Sequence, residues 1–277
     1  MKMIYDCFTY FNDDLMTELR LNILDKYVDK FVIIEATTDH SGNKKRLNFN
    51  LDTFKKFKKK IRYIIVEDLP KNTKPFYFNR RWWHKNMVRE EYQRNQIMRG
   101  IYDAADEDLI IISDNDEIPN LENLKNYNFK KFAVFNQKFY RYKFNLLSEA
   151  QTPYQGSRVV KRKYLKGKIT PQWLRHQYTK RIKPWQIHRY FTNPMVIENG
   201  GWHFSFMVSP QKISLKMKAY GHGELNTEKF TNIEYIKDRI SKHMDVFSDV
   251  KLKKVELDNT YPDYLVRNKD KFNKFIA

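Results

Sequence analysis

From Asp108 to Asn120 the chain reads DLIIISDNDEIPN, an apolar run that ends in three acids within four positions, Asp114, Asp116 and Glu117. Carboxylates so close repel one another, so they must either face water or share a cation. An Asp-x-Asp pair at the end of a buried strand suits Mg²⁺ or Mn²⁺, which take oxygen ligands and bridge phosphate oxygens. The alternative is a plain turn that Asp114 and Asp116 cap, with Pro119 setting the chain direction.

Ligands of parallel sheets bind beyond the carboxyl ends of the strands, and the first half of the chain has the alternation of short β-rich runs and helical patterns that builds such a sheet. MIYDCFTY predicts a first strand. DDLMTELRLNILDKYV predicts a helix with Leu15, Leu19, Ile23 and Tyr27 along one face. KFVIIEA and IRYIIVE predict strands ending near Glu35 and Glu67, with a basic helix at LDTFKKFKKK between them. KNMVREEYQRNQIMRGIYDAAD predicts one long helix carrying Arg94, Met98, Ile101 and Ala105 on a shared face, and DLIIIS a fourth strand buried on both sides. Beyond it, KFAVFNQKFYRYKFNLL reads as long antiparallel strands, GSRVVKRKYL as another, and NGGWHFSFM as a strand before a helix. The expected fold class is α/β with a central, mostly parallel sheet: one domain over residues 1–225, with a helical extension at 226–277 packed on it.

The chain has 277 residues, 41% apolar, with 52 Lys and Arg against 33 Asp and Glu, a net charge of +19. That charge attracts anions: nucleic acid, membrane lipid or phosphate-bearing small molecules. Codon bias toward Asn, Ile, Phe, Tyr and Lys is a second source of the same excess. A single cysteine, Cys7, excludes an intrachain disulfide, and there is no Asn-x-Ser/Thr sequence. No run approaches the roughly 18 apolar residues of a membrane span, and the acidic N-terminus does not read as a secretory signal. A cytoplasmic protein is expected.

Five blocks in order across positions 3–226 carry a resemblance: RLNILDKYVDKFVIIEATTDHSGNKKRLNF, REEYQRNQIMRGI, DLIIISDNDEIP, GGWHFSF and GHGELN. Together they resemble glycosyltransferase family 17, whose best-known members add a β-linked N-acetylglucosamine to the core mannose of N-glycans. The resemblance implies a GT-A-type nucleotide-sugar fold and inverting transfer from a UDP-sugar to a glycan acceptor, aided by Mn²⁺ or Mg²⁺. It implies Asp116 as a metal ligand and Asp114 at the ribose or a metal-bound water, with Glu117 orienting a neighbouring loop. Arg94, among Arg89, Arg94 and Arg99, would contact the diphosphate, and Glu35 with TTDHSG would receive the base and ribose. A late histidine is a further metal ligand in such folds; His203 and His222 compete for it, and His203 could instead be a core residue. An inverting transferase needs a general base. Glu224 is the candidate and Glu149 the runner-up, while Trp82 and Trp83 offer flat faces to an acceptor. Animal members carry an N-terminal Golgi segment, whereas the first residues here read as a strand; no such anchor is expected, the acceptor is left open, and a virus-infected cell or a bacterium is the expected setting.

Two other readings compete: a metal-dependent nucleic-acid enzyme gripping phosphates with its positive charge, and a non-catalytic sugar-binding protein of the same fold. Nucleic acid is not the expected substrate, because no helix-turn-helix, zinc-finger or RNA-recognition motif is present. Intact Asp114 and Asp116 argue for turnover.

Overall fold

The computed structural model describes residues 2–277 apart from 72, 75, 79–80, 84, 123, 125–126, 130, 180–193 and 220–226, and only the backbone of 76–78, 81–83 and 85. The first strand, β1 (Ile4–Thr9), is buried from Tyr5 to Phe8. Asp13 then caps α1 (Asp14–Leu24), its side chain accepting from the Met16 N–H, which satisfies one of the free donors of a helix start. Two further strands follow, β2 (Lys30–Ala36) and β3 (Ile61–Val66). A separate hairpin of β4 (Phe76–Phe78) and β5 (Arg81–Trp83) precedes α2 (Lys85–Asn95) and α3 (Ile97–Gly100).

The acidic turn lies between β6 (Leu109–Asp114) and β7 (Glu117–Pro119). Then come β8 (Phe132–Arg141), β9 (Leu146–Leu147), β10 (Tyr154–Lys161), α4 (Pro171–Arg175), β11 (Met195–Ile197), β12 (Gly201–Ser205) and α5 (Pro210–Ala219). The C-terminal extension holds α6 (Glu228–Thr231), α7 (Ile233–Ser241), β13 (Lys253–Lys254) and α8 (Asp263–Arg267).

These elements form a mixed α/β fold consistent with the GT-A arrangement, around a large central, mostly parallel sheet of order β13-β9-β8-β10-β6-β1-β2-β3. The block β6-β1-β2-β3 is wholly parallel, while β10 runs against β6 and β8, and β12 runs parallel to β8. Register matters for function: Thr9 pairs with Ile34 on one side and with Asp114 on the other, so three strands end along one rim. Apolar side chains cover both faces, one layer including Phe8, Leu19, Phe31 and Ile111, the other Cys7, Val32, Ile97 and Ile112. Each such burial contributes roughly 1.5–3 kcal/mol.

Several expected helices are shorter than their patterns. LDTFKKFKKK forms only a 3₁₀ turn at Lys55–Phe57. Phe54 and Phe57 are both buried, and i→i+3 bonds from Phe57 to Phe54 and from Lys60 to Phe57 place them. The long helix breaks at Gln96, where i→i+3 bonds replace the α-helical pattern, and stops at Gly100, so Ala105 lies beyond it. A side chain at Gly100 would bring its Cβ within 2.1 Å of Val32 Cγ1, so the glycine permits close approach to β2.

The extension is less helical than its pattern, since β13 adds a strand to the sheet. It enters the core through Tyr261, Leu265 and Phe272, and the Phe144 N–H donates to the Phe275 carbonyl.

At the start of β12, Gly201 has φ of 118°, and a Cβ there would lie 2.2 Å from the Ile118 carbonyl oxygen on β7. Gly201→Ala is therefore expected to destabilise the protein by at least about 1–3 kcal/mol. Gly167→Ala, at a left-handed position with open space around it, should lose only about 1 kcal/mol. Equilibrium urea unfolding of both variants checks this, and equal losses would show that the β7–β12 contact does not constrain the backbone.

Candidate active site

A cavity of about 370 Å³ opens on the rim where β1, β2 and β6 end, with Thr9–Phe11, Thr38–His40 and Asp114–Asp116 in its wall. The backbone of the acidic turn is held from beneath. Arg20, fully buried on α1, donates to Asp6 through Nε (2.7 Å) and Nη2 (2.5 Å). Its Nη1 donates to the carbonyls of Asp114 (3.1 Å) and Glu117 (2.6 Å). Asn115 Nδ2 ties the same turn to α1 through Thr17 Oγ1 (3.1 Å) and the Asp13 carbonyl (3.2 Å).

Guanidinium groups neutralise two of the three acids. Arg175, at the end of α4, forks onto Glu117 at 2.6 and 2.8 Å and reaches Asp114 Oδ2 at 2.9 Å. Arg94, on α2, donates to Asp114 Oδ1 at 2.7 Å and to Glu90 at 3.0 Å, and also bonds Gln172. Burial pushes the Asp114 carboxyl up, but Arg175 and Arg94 outweigh it and hold the group well below the usual carboxylate range. Glu117 is fully buried and also accepts from the Asp114 N–H.

Asp116 differs. Among the described residues no guanidinium meets it; its Oδ1 lies 3.5 Å from His203 Nε2. Burial raises its carboxyl, while His203 and the Lys216 ammonium outweigh burial and leave it lowered. Lys216, on α5, is itself held by Asp13 Oδ2 at 2.5 Å. Burial pulls the ammonium down, and Asp13 and Asp116 together keep it raised. The His203 ring packs against Phe139 (4.5 Å) and Tyr154 (4.6 Å) between centroids. Its Nδ1 is buried with no hydrogen-bond partner among the described residues, so ring packing sets its orientation.

Several expectations are revised by this geometry. Asp114 accepts a guanidinium on each oxygen, so the protein itself supplies a cation to it; one lone pair on each oxygen is left, the side chain is 32% exposed, and contact of Asp114 with a metal or ribose stays a proposal. Arg94 lines the cavity but turns its Nη groups to Asp114, Glu90 and Gln172 rather than to an open phosphate position. Glu35 is fully buried and accepts from Lys45 Nζ (2.5 Å), the Asn48 and Phe49 N–H groups (2.9 and 3.0 Å) and Tyr63 OH (2.8 Å). It anchors the loop that brings Thr38–His40 and Lys45 to the cavity and has no lone pair left for a ribose. Glu149 is exposed, pairs with Lys253 at 2.8 Å and lies off the cavity wall, so it does not serve as a base there. Arg89 binds the carbonyls of His40, Pro70 and Lys71, and Arg99 pairs with Asp68. His222 and Glu224 lie outside the described residues, as do the side chains of Trp82 and Trp83.

Asp116 and His203 fit a divalent cation that arrives with a diphosphate. They present a carboxylate oxygen and an imidazole nitrogen side by side on the cavity wall, and Mg²⁺-type sites are commonly completed by water and substrate phosphates. No group of three or more His, Cys, Asp or Glu ligands exists among the described residues.

Sequence reasoning missed Arg20, Arg175 and Lys216. Arg20 could have been found as a charge flanked by Leu19 and Leu21 on an apolar helix face. Arg175 gives no local signal.

The profile of glycosyltransferase family 17 matches residues 1–275. No curated protein matches the chain significantly.

Asp114→Asn removes the carboxylate that Arg94 and Arg175 share, leaving them Glu90 and Glu117, and is expected to destabilise the fold by about 1–3 kcal/mol, whereas Asp116→Asn should stay within about 1 kcal/mol of the parent. Because its carboxyl is depressed in the folded chain, the stability Asp114 supplies is complete above the ordinary value of about 4 and is lost as pH falls through and below it. Urea midpoints between neutral pH and about pH 3 should therefore fall less steeply in Asp114→Asn. Equal stability of both variants would show the Arg94 and Arg175 contacts to be incidental.

Proposed function

The chain belongs to glycosyltransferase family 17 and is a glycosyltransferase; from that premise we propose that it transfers a sugar, by preference N-acetylglucosamine, from a UDP donor to a glycan hydroxyl with inversion and with Mn²⁺ or Mg²⁺. The observation that carries this reading is the position of Asp116. It is the acid of the turn left without a guanidinium among the described residues, and it stands beside His203 in a cavity at the carboxyl ends of parallel strands.

Asp116 and His203 would hold the cation, which when bound offsets the charge that develops on the leaving diphosphate. The protein's own groups prepare that end of the cavity. Lys45, Arg94 and Lys216 line it, and the neutralisation of Asp114 and Glu117 removes two charges that would repel a diphosphate. Glu224 remains the proposed base: it stands five residues beyond Ala219, where α5 ends on the cavity wall. Asp13, also on the wall, is tied to Lys216. No helix among the described residues is long and apolar enough to cross a membrane; the proposed cytoplasmic setting rests on the single cysteine, which leaves no intrachain disulfide.

Titration calorimetry with a panel of UDP-sugars tests the donor and the metal together. Affinity should fall at least roughly tenfold when EDTA replaces Mn²⁺, and unchanged affinity would remove the cation from the mechanism. Asp116→Asn should abolish transfer without loss of fold.

A separate pair of measurements addresses the base. Glu224→Gln should keep donor and metal binding and lower the single-turnover rate by roughly 10² to 10⁴. A near-normal rate would assign the base elsewhere, and lost metal affinity would make Glu224 part of the cation site.

A further inference from the structure

The end of the cavity away from β1 and β2 is built differently from the rest. Arg141, on β8 and 3% exposed, has its guanidinium carbon 5.0, 5.5 and 5.3 Å from the ring centroids of Phe139, Phe206 and Phe247. Its Nε lies 2.8 Å from Asp245 Oδ2, and its Nη2 donates to Gln151 Oε1 at 3.2 Å. Asp245 is likewise buried, so this guanidinium meets a full counter-charge inside the protein.

Phe247 and Asp245 both come from the C-terminal extension, in a turn that the chain holds firmly. The Arg239 Nε donates to the Asp245 carbonyl at 2.9 Å, and the Phe247 N–H donates to Asp245 Oδ1 at 2.8 Å. Phe139 touches the Arg141 guanidinium on one side and the His203 ring on the other, so the aromatic end adjoins Asp116 directly.

Resting on the transfer reading above, the geometry points to Phe139, Arg141, Gln151, Phe206 and Phe247 as the subsite for an uncharged pyranose ring of the acceptor, with Phe247 of the extension as its selective wall. Charge and lining together decide the class of ligand. Arg141 is cancelled by Asp245, so this end has no surplus positive charge for a phosphate; Lys45, Arg94 and Lys216 elsewhere on the wall are likewise paired, with Glu35, Asp114 and Asp13, so a diphosphate is placed by the proposed cation site at Asp116 and His203. Aromatic faces with a few convergent N–H and amide groups are the usual lining for a neutral, partly apolar ligand, and a pyranose offers a C–H face to the rings and hydroxyls to Arg141 and Gln151.

The test uses the full chain loaded with UDP and Mn²⁺, and as probes the methyl glycosides of mannose, glucose, galactose and N-acetylglucosamine, followed by saturation-transfer NMR. The parent should bind at least one of them. Phe247→Ala should weaken that binding at least roughly tenfold, with UDP affinity by calorimetry within about twofold of the parent, and Phe247→Tyr should restore it. Gln151→Ala, at an exposed residue whose loss leaves the aromatic packing intact, should weaken it several-fold and so covers the case in which Phe247→Ala fails to fold.

Glycoside binding indifferent to both variants, no glycoside bound by a UDP-loaded parent, or a loss of UDP affinity in place of glycoside affinity would each overturn this assignment alone. A parent that binds no UDP in Mn²⁺ would instead remove the transfer reading, and this inference with it.

Discussion

The acidic turn exists because buried guanidinium groups hold it. Three carboxylates within four residues, mostly withdrawn from water, would repel one another by roughly 3 kcal/mol per pair at about 5 Å and an effective dielectric near 20. Arg20 answers the backbone part of the problem: paired with Asp6, it still has an Nη to donate to the carbonyls of Asp114 and Glu117. Arg175 and Arg94 answer the side-chain part. Buried ion pairs of this kind rarely add much net stability, but loss of one partner is costly. The network therefore works as a specification: α1, α2 and α4 must all dock in one arrangement for the turn to form.

This arrangement divides the acids by role. Asp114 and Glu117 have permanent cations in the protein and serve as struts, while among the described residues Asp116 meets only His203 and the more distant Lys216. A site that must accept and release a cation with each donor needs one such incompletely satisfied carboxylate and gains from having its neighbours already neutral. Glu35 shows the same logic one strand away. Its carboxylate is consumed by the loop after β2, which gives Thr38, His40 and Lys45 fixed positions on the cavity wall.

Much of this was legible in the sequence wherever the determinant is local. Alternating apolar runs gave β1, β2, β3 and β6, whose order places Asp114 at a carboxyl end, and the spacing of leucines gave α1. What was not legible depends on contacts between distant residues. The partner of Asp114 and Glu117 is Arg175, about sixty positions away on a helix of five residues whose own pattern says nothing about acids. Glu35 looked like a strand-end ligand because its four donors lie in a loop and on β3. LDTFKKFKKK has helical composition, yet two buried phenylalanines three apart are met by a 3₁₀ turn. The extension read as polar and helical, and only the fold reveals that Tyr261, Leu265 and Phe272 complete the core.

Seen along its length, the cavity changes character in a way that suits displacement at a sugar carbon. At the β1 and β2 end, Lys45, Arg94 and Lys216 line the cavity in ion pairs with Glu35, Asp114 and Asp13, so a diphosphate there would rely on the cation that Asp116 and His203 are proposed to hold. At the β8 and β12 end, the buried guanidinium of Arg141 is likewise paired, with Asp245, and surrounded by rings. Asp116 and His203 sit between the two. The two ends therefore differ in lining, aromatic rings at one and paired polar groups at the other, more than in net charge. Had Arg141 lacked Asp245, a buried cation without a counter-charge would stand among the rings, a costly arrangement that would also attract phosphates. The Asp245 carboxylate, contributed by the C-terminal extension, therefore keeps the aromatic end neutral.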